Sequence, residues 1–542
     1  MSIPTWLSYF IGIWASVYLA DAALRAHPFT RQRYQALTAR LGISINVLQA
    51  RFFTSGFNNI FHFICGFDSI PWKLWFSCGV LFCATSMVLS LLLLTMLVYR
   101  TVVEKSVKSD TFVPMMPGLN LPISHLGFYI GTLLLCAFLH EAGHALAALR
   151  ERVRLHGFGV FLFGLYPGAY VDLNTADLES LRPIGQLRIY CAGVWHNAVI
   201  ALLSMLLFYA MPKLLYPAYH TGSAVGITYL RENSVVTGHR GLSVGDSITH
   251  VNSCPVTNQS EWFRCLEQAQ NTPSGYCVSG LYLSNADTSV KAISSRSGLR
   301  RNLAALVPKA TREKNSSAIL TPPMDDCCSP DLASTHLCFT YTTTYKPGYG
   351  AAKYACLPAR PVTERSSCMS SADCAPPTLL RHADTAASDL HRSMLCVIPS
   401  PPDNQTRLVR LAHTRKDIPA LLFLGPLDDL LASVGVSDYV SRWPSVMSPR
   451  IPMALSLFCT YLFSLSGALV ILNVVPCYAL DGQYILKAFI DLCLAGSVSY
   501  RVREWVFRIM LCAGTLLILV NVLLTFRFYI WDDSAYMLSG ST

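Results

Sequence analysis

Long apolar runs separated by polar stretches dominate the chain. They lie near residues 4–19, 74–99, 126–149, 187–211, 451–475 and 505–526, and most approach the ~20 residues a helix needs to cross a bilayer core. Six spans are therefore expected. The first run has no basic segment before it and ends at Asp21 rather than at a small-residue cleavage site, which predicts a retained anchor. Between 157 and 173 the pattern changes to Gly, Phe, Val, Leu and Tyr alternating around Pro167–Gly168, which predicts a β-hairpin. An apolar hairpin dipping into the membrane would offer an unpaired edge to which an extended peptide could add as a strand. The plainer alternative is a hairpin that only packs the bundle. From about 212 to 450 the long apolar runs stop and one polar connection takes their place.

Composition agrees with this pattern. Hydrophobic residues make up 52% of the 542 and charged residues 14%, against about a quarter charged in a soluble protein. The net charge of +10 is spread through loops beside spans, as in Arg150, Arg152 and Arg154 or Arg501, Arg503 and Arg508. Positive-inside bias explains these residues, so the bilayer is a partner and direct nucleic-acid binding is not expected. Ten of the 19 cysteines fall between Cys254 and Cys396 within the polar connection. No paired CxxC or CxxH spacing accompanies them, so disulfides in an oxidising lumen are expected rather than zinc knuckles. The same region carries sequons at Asn258, Asn315 and Asn404, which are acceptors only on the lumenal side.

The candidate chemistry sits inside the third run. His140, Glu141 and His144 form HEAGH, and residues four apart share a helix face, so both imidazoles can reach one Zn²⁺ while Glu141 points toward an activated water. Such a motif can arise by chance, with a buried structural His pair as the outcome. Its placement argues for a metal, because each ionisable group at a bilayer centre costs about 2.5–3.5 kcal/mol on insertion scales and needs a compensating partner. A catalytic zinc needs a third protein ligand. Asp481 is the candidate, in the segment Asn473-Val-Val-Pro-Cys-Tyr-Ala-Leu-Asp481-Gly482, where Pro476 must break the fifth run. Asp481 is expected to cap a helix starting at Gly482. An ordinary N-cap role and a ligand role are equally consistent with that position.

HEAGH at 140–144, NVVPCYALDG at 473–482, and FGVFLFGLYPGAYVDL and RIYCAGVWHNAV between them resemble the site-2 protease family of intramembrane zinc metallopeptidases. The resemblance implies that His140, His144 and Asp481 bind zinc and that Glu141 is the general base. It implies that Asn197, in Trp195-His196-Asn197, orients substrate or stabilises an oxyanion; interhelical hydrogen bonding is the alternative. His196 is expected to be a packed histidine, since a fourth protein ligand would close the site to water. The stretch 226–266, with Gly241-Leu-Ser-Val-Gly-Asp246, resembles a PDZ domain, which could bind a peptide or filter large ectodomains.

The expected fold is a polytopic α-helical membrane protein with a membrane-associated β-hairpin and a lumenal PDZ-like, cysteine-rich domain. Its expected parts are N-terminal spans at 1–118, a catalytic membrane core at 119–211, a lumenal region at 212–450 and C-terminal spans at 451–542. The resemblance implies residence in the Golgi or endoplasmic reticulum. It also implies cleavage within the transmembrane segments of membrane-tethered transcription factor precursors after a first lumenal cut. Two rivals are a prenyl-protein peptidase, which would take a downstream Glu as third ligand, and a catalytically silent receptor or zinc-binding protein. The LDG aspartate disfavours the first and the intact Glu141 disfavours the second.

Overall fold

The computed structural model describes residues 5–539 except 47, 67–70, 105–121, 165, 233, 239–240, 290–326, 344–351, 375–392, 402, 404 and 416–417. The chain divides into two units, Met1–Ala210 with Leu455–Thr542, and Met211–Ala454.

The first unit is helical. Among the described residues five helical segments are long and apolar enough to cross a membrane: Trp72–Val103, Ile123–Arg150, Pro183–Leu214, Ile451–Val474 and Tyr500–Thr525. A helix satisfies its own backbone polar groups, which apolar surroundings demand. The elements before the polar connection are α1 (Thr5–Ala26), α2 (Pro28–Leu41), β1 (Ile43–Asn46), β2 (Gln49–Thr54), α3 (Asn58–Cys65), α4 (Trp72–Tyr99), α5 (Leu126–Arg150), β3 (Leu155–Phe163), β4 (Tyr166–Leu173), α6 (Thr175–Glu179), α7 (Pro183–Tyr190) and α8 (Ala192–Leu214).

The expected first span forms a helix, α1, but is not among the five. Tyr, Trp, Ser and Thr dilute its apolar run. Its Asp21 is 5% exposed, paired with Arg25 at 2.9 Å, and accepts from the Tyr34 hydroxyl at 2.8 Å. Trp14 donates its indole N–H to the Gly164 carbonyl at 3.1 Å, tying α1 to the loop between β3 and β4.

The hairpin is present as β3 and β4, with two corrections. Its turn is at Gly164, which adopts the left-handed region at φ +61°, not at Pro167–Gly168. Pro167 pairs with Leu162 inside β4, which is an edge strand that tolerates a missing donor. Gly168 stands opposite Phe161, and a Cβ there would lie 2.4 Å from the Phe161 ring. Gly159 stands opposite Tyr170 in the same way, at 2.2 Å. Gly168, which suggested the turn, and Gly159 therefore make room for cross-strand aromatics. The hairpin also does not stand alone: β1 and β2 extend it into a four-stranded antiparallel sheet in the order β1-β2-β3-β4, with Arg51 opposite Phe161.

Among the described residues the second unit carries two large sheets and a small two-stranded one, Tyr219–His220 with Val440–Ser441. One large sheet runs in the order Leu421–Pro426, Thr406–His413, Ser247–Val251, Val225–Leu230, Val434–Ser437, with Cys254–Pro255 paired to Ser247–Val251. The helix Gln259–Asn271 buries Trp262, Cys265, Leu266 and Ala269, one stripe at helical spacing, against this sheet's core of Ile227, Ile248 and Leu411. Asn258 caps that helix, its side-chain oxygen accepting from Glu261 N–H at 2.9 Å. The sequons at Asn315 and Asn404 lie outside the described residues. The other sheet runs Lys353–Pro358, His336–Tyr341, Met394–Pro399, Gly275–Ser279, Ser367–Cys368 around Phe339, Leu357 and Leu395. All ten of the clustered cysteines are in disulfides: Cys254–Cys265, Cys277–Cys374, Cys327–Cys338, Cys328–Cys356 and Cys368–Cys396.

Candidate metal centre

One turn of α5 places His140 and His144 on the same face, both about 5% exposed. Their Nε2 atoms lie 3.2 Å apart. Asp481 reaches them from the far end of the chain: its Oδ2 lies 2.8 Å from His140 Nε2 and 3.3 Å from His144 Nε2. The backbone explains how. The helix Ile451–Val474 stops just before Pro476, Ala479 takes a left-handed φ of +67°, and a new helix, Asp481–Leu494, begins at Asp481 itself. This corrects the expected cap: Leu480 occupies the N-cap position with no side-chain cap bond, and Asp481 is the first helical residue. Its carboxylate turns toward the imidazoles. Gly482 permits the close return of the chain, since a Cβ there would lie 2.0 Å from the Val475 carbonyl oxygen.

These three atoms suit a metal. In a tetrahedral site with bonds of ~2.0–2.1 Å, ligand atoms stand about 3.3–3.4 Å apart, close to the observed edges of 2.8, 3.2 and 3.3 Å. Open space faces both rings because position 193 is glycine. A Cβ there would lie 2.3 Å from His144 Nε2 and 2.6 Å from His140 Nε2, filling the room an ion needs.

The opposite ring nitrogens have partners that fix the tautomers. His144 Nδ1–H donates to the Ile189 carbonyl at 2.7 Å, since a carbonyl can only accept. That leaves the His144 Nε2 lone pair for a metal. His140 Nδ1 meets the Asn197 amide at 3.0 Å, and Asn197 is fully buried. Ligation through His140 Nε2 requires a proton on Nδ1, so the amide orientation that fits a metal turns Asn197 Oδ1 to accept it. Asn197 thus lies behind the His140 ring, where its contact is with the imidazole. His196 donates Nδ1–H to the Ala192 carbonyl at 2.8 Å and packs near the rings of Trp75 and Phe76, away from the ligand triangle.

Glu141 Oε2 accepts from the Val171 amide of β4 at 3.0 Å. The outer edge of the sheet therefore reaches the carboxylate beside the ligands. This arrangement can bind a divalent cation, hold a base next to it and present backbone donors along the edge strand. Sequence reasoning missed Gly193, Ile189 and Val171. Gly193 had a signal, since it lies four residues before Asn197 and so on the same face of the helix. Ile189 and Val171 act through backbone atoms, which no side-chain pattern reveals.

The profile of Peptidase family M50 matches residues 128–517. A curated relative from Arabidopsis thaliana, described as a membrane-bound transcription factor site-2 protease homolog, is 26% identical over 431 residues, covering 77% of this chain and 80% of the relative.

Proposed function

Given that the chain belongs to peptidase family M50, the site-2 proteases, and is a multi-pass membrane metallopeptidase, we propose that it is a zinc endopeptidase cutting within the transmembrane segment of a membrane-tethered transcription factor precursor. Release of the cytosolic domain after a first lumenal cut is the output. The convergence of His140, His144 and Asp481 beside Glu141 carries this reading.

When bound, zinc supplies Lewis-acid chemistry, acidifying water and polarising a peptide carbonyl. Glu141 takes a proton from the attacking water as its oxygen bonds to the carbonyl carbon, then passes that proton to the departing amine as the C–N bond breaks. Ile189 and Asn197 hold the two imidazoles in the tautomer that ligation needs. A helical substrate hides its carbonyls in hydrogen bonds and must unwind near the site. The outer edge of β4, beyond the Val171 amide that Glu141 occupies, is read as offering such a segment strand pairing in place of its lost helix bonds.

The unit Met211–Ala454 is read as lumenal, in the Golgi or endoplasmic reticulum. Its first sheet with the helix Gln259–Asn271 is read as the PDZ-like module, serving as a peptide groove or a size filter. The five disulfides support an oxidising compartment. Expression of Glu141→Gln beside wild type with a tethered reporter tests the enzymatic reading. Reporter release should fall by about 10²-fold or more, while equal release would overturn it in favour of a silent zinc-binding protein.

A further inference from the structure

A second polar site lies where α4 begins and α5 ends. Trp72 and Phe76 of α4 pack in one cluster with Ala147 and Ala148 of α5. The start of one candidate span and the finish of the next are therefore level, at one surface of the bilayer. Between them opens a cavity of about 770 Å³ whose lining includes Trp72, Lys73, Leu74, Arg150, Glu151 and Arg152.

Three of these side chains are cationic and one is acidic. The acid is already matched from outside the lining: Glu151 Oε1 accepts from Arg188 Nη1 at 3.0 Å, and Arg188 is steadied by Ser77 at 3.1 Å. Among the described lining residues, Lys73 and Arg152, both exposed, therefore leave positive charge at the cavity. The N-terminus of α4, which has no side-chain cap, adds partial positive charge. Arg152 is held at φ +65°, a left-handed conformation that side chains other than those of Gly, Asn and Asp rarely adopt. Such strain persists where surrounding structure enforces it and clusters at ligand sites; a glycine would close the same turn at lower cost. The rest of the lining suits the acyl boundary, with Leu74 64% exposed and Trp72 stacked near the Arg150 guanidinium at 5.4 Å.

We propose that this cavity binds the phosphate-bearing headgroup of an anionic phospholipid. Cationic groups at the bilayer surface attract anionic headgroups. The volume lies within the range of about 300–1,000 Å³ that holds a phosphate with a sizeable substituent. Free phosphate shares the chemistry, but the apolar neighbours and the position at the end of two spans favour a lipid.

The test measures lipid retention and is independent of proteolysis. The full chain is reconstituted in phosphatidylcholine nanodiscs with and without a minor fraction of phosphatidic acid, and co-purifying lipid is counted by native mass spectrometry. Wild type should retain phosphatidic acid, and Lys73→Gln with Arg152→Gln should lose about tenfold or more of it. Arg31→Gln with Arg33→Gln, which removes equal charge from exposed positions on α2, should behave as wild type. Arg152→Gly removes charge while relieving the strained turn, so it should fold at least as well as wild type and still retain less lipid. Equal retention by the cavity variants and wild type, or equal losses in both double variants, would overturn the proposal. So would inorganic phosphate raising the Tm in phosphatidylcholine-only discs as much as phosphatidic acid does.

Discussion

All nine unpaired cysteines belong to the helical unit, and all ten paired ones to Met211–Ala454. The β-rich unit has short strands and two separate apolar cores, and it closes long loops covalently: Cys277–Cys374 alone spans 97 residues. The helical unit instead brings backbones together at glycines and gathers the buried His140, His144 and Asn197 at one site. Buried thiols there act as small packing groups, with Cys83 Sγ 3.6 Å from the Cys191 carbonyl and Cys136 Sγ 3.2 Å from Ser466 Oγ. One chain thus uses two means of ordering itself, and they can be broken separately.

The largest effect on the helical side is expected from Gly193→Ala. Its methyl would sit between the two Nε2 atoms, so zinc content should fall from near one per chain to near zero, with peptide release lost alongside it. Retained helicity by circular dichroism would place the damage at the site; full metal loading would show that the space in front of the imidazoles is not needed. On the other side, mild reduction should destabilise the β-rich unit by about 2–5 kcal/mol for the Cys277–Cys374 bond, read as rapid proteolysis within 211–454. Metal content should not change, and a parallel loss of metal would erase the separation. Asn197→Ala should have a smaller effect, weakening metal affinity by about 10–100-fold. Asn197→Asp, which keeps an acceptor for His140 Nδ1–H, should recover most of that loss. Equal weakening in both would assign Asn197 to packing alone.

Local periodicity made much of this legible. The pairing of His140 with His144 follows from helix geometry over a single turn, and the apolar runs mark five of the helices. The elements that escaped depend on distant partners. Strands β1 and β2 form because β3 lies beside them. The hairpin turns at Gly164 because Gly159 and Gly168 are needed under Tyr170 and Phe161. The run in α1 was long enough for a span, yet Asp21 found partners in Arg25 and Tyr34 instead. Asp481 was placed beside the histidines by family resemblance and by the break at Pro476. That it would start the helix rather than cap it depended on the left-handed turn at Ala479.

The most direct test of the metal centre is X-ray absorption at the zinc edge on the purified full chain, with Asp481→Ala measured alongside. The expected spectrum of the wild type shows two imidazole nitrogens and carboxylate oxygen at about 2.0–2.2 Å and no sulfur, and the variant loses the carboxylate contribution or the metal itself. A thiolate shell near 2.3 Å, or an identical spectrum at full occupancy in Asp481→Ala, would contradict it.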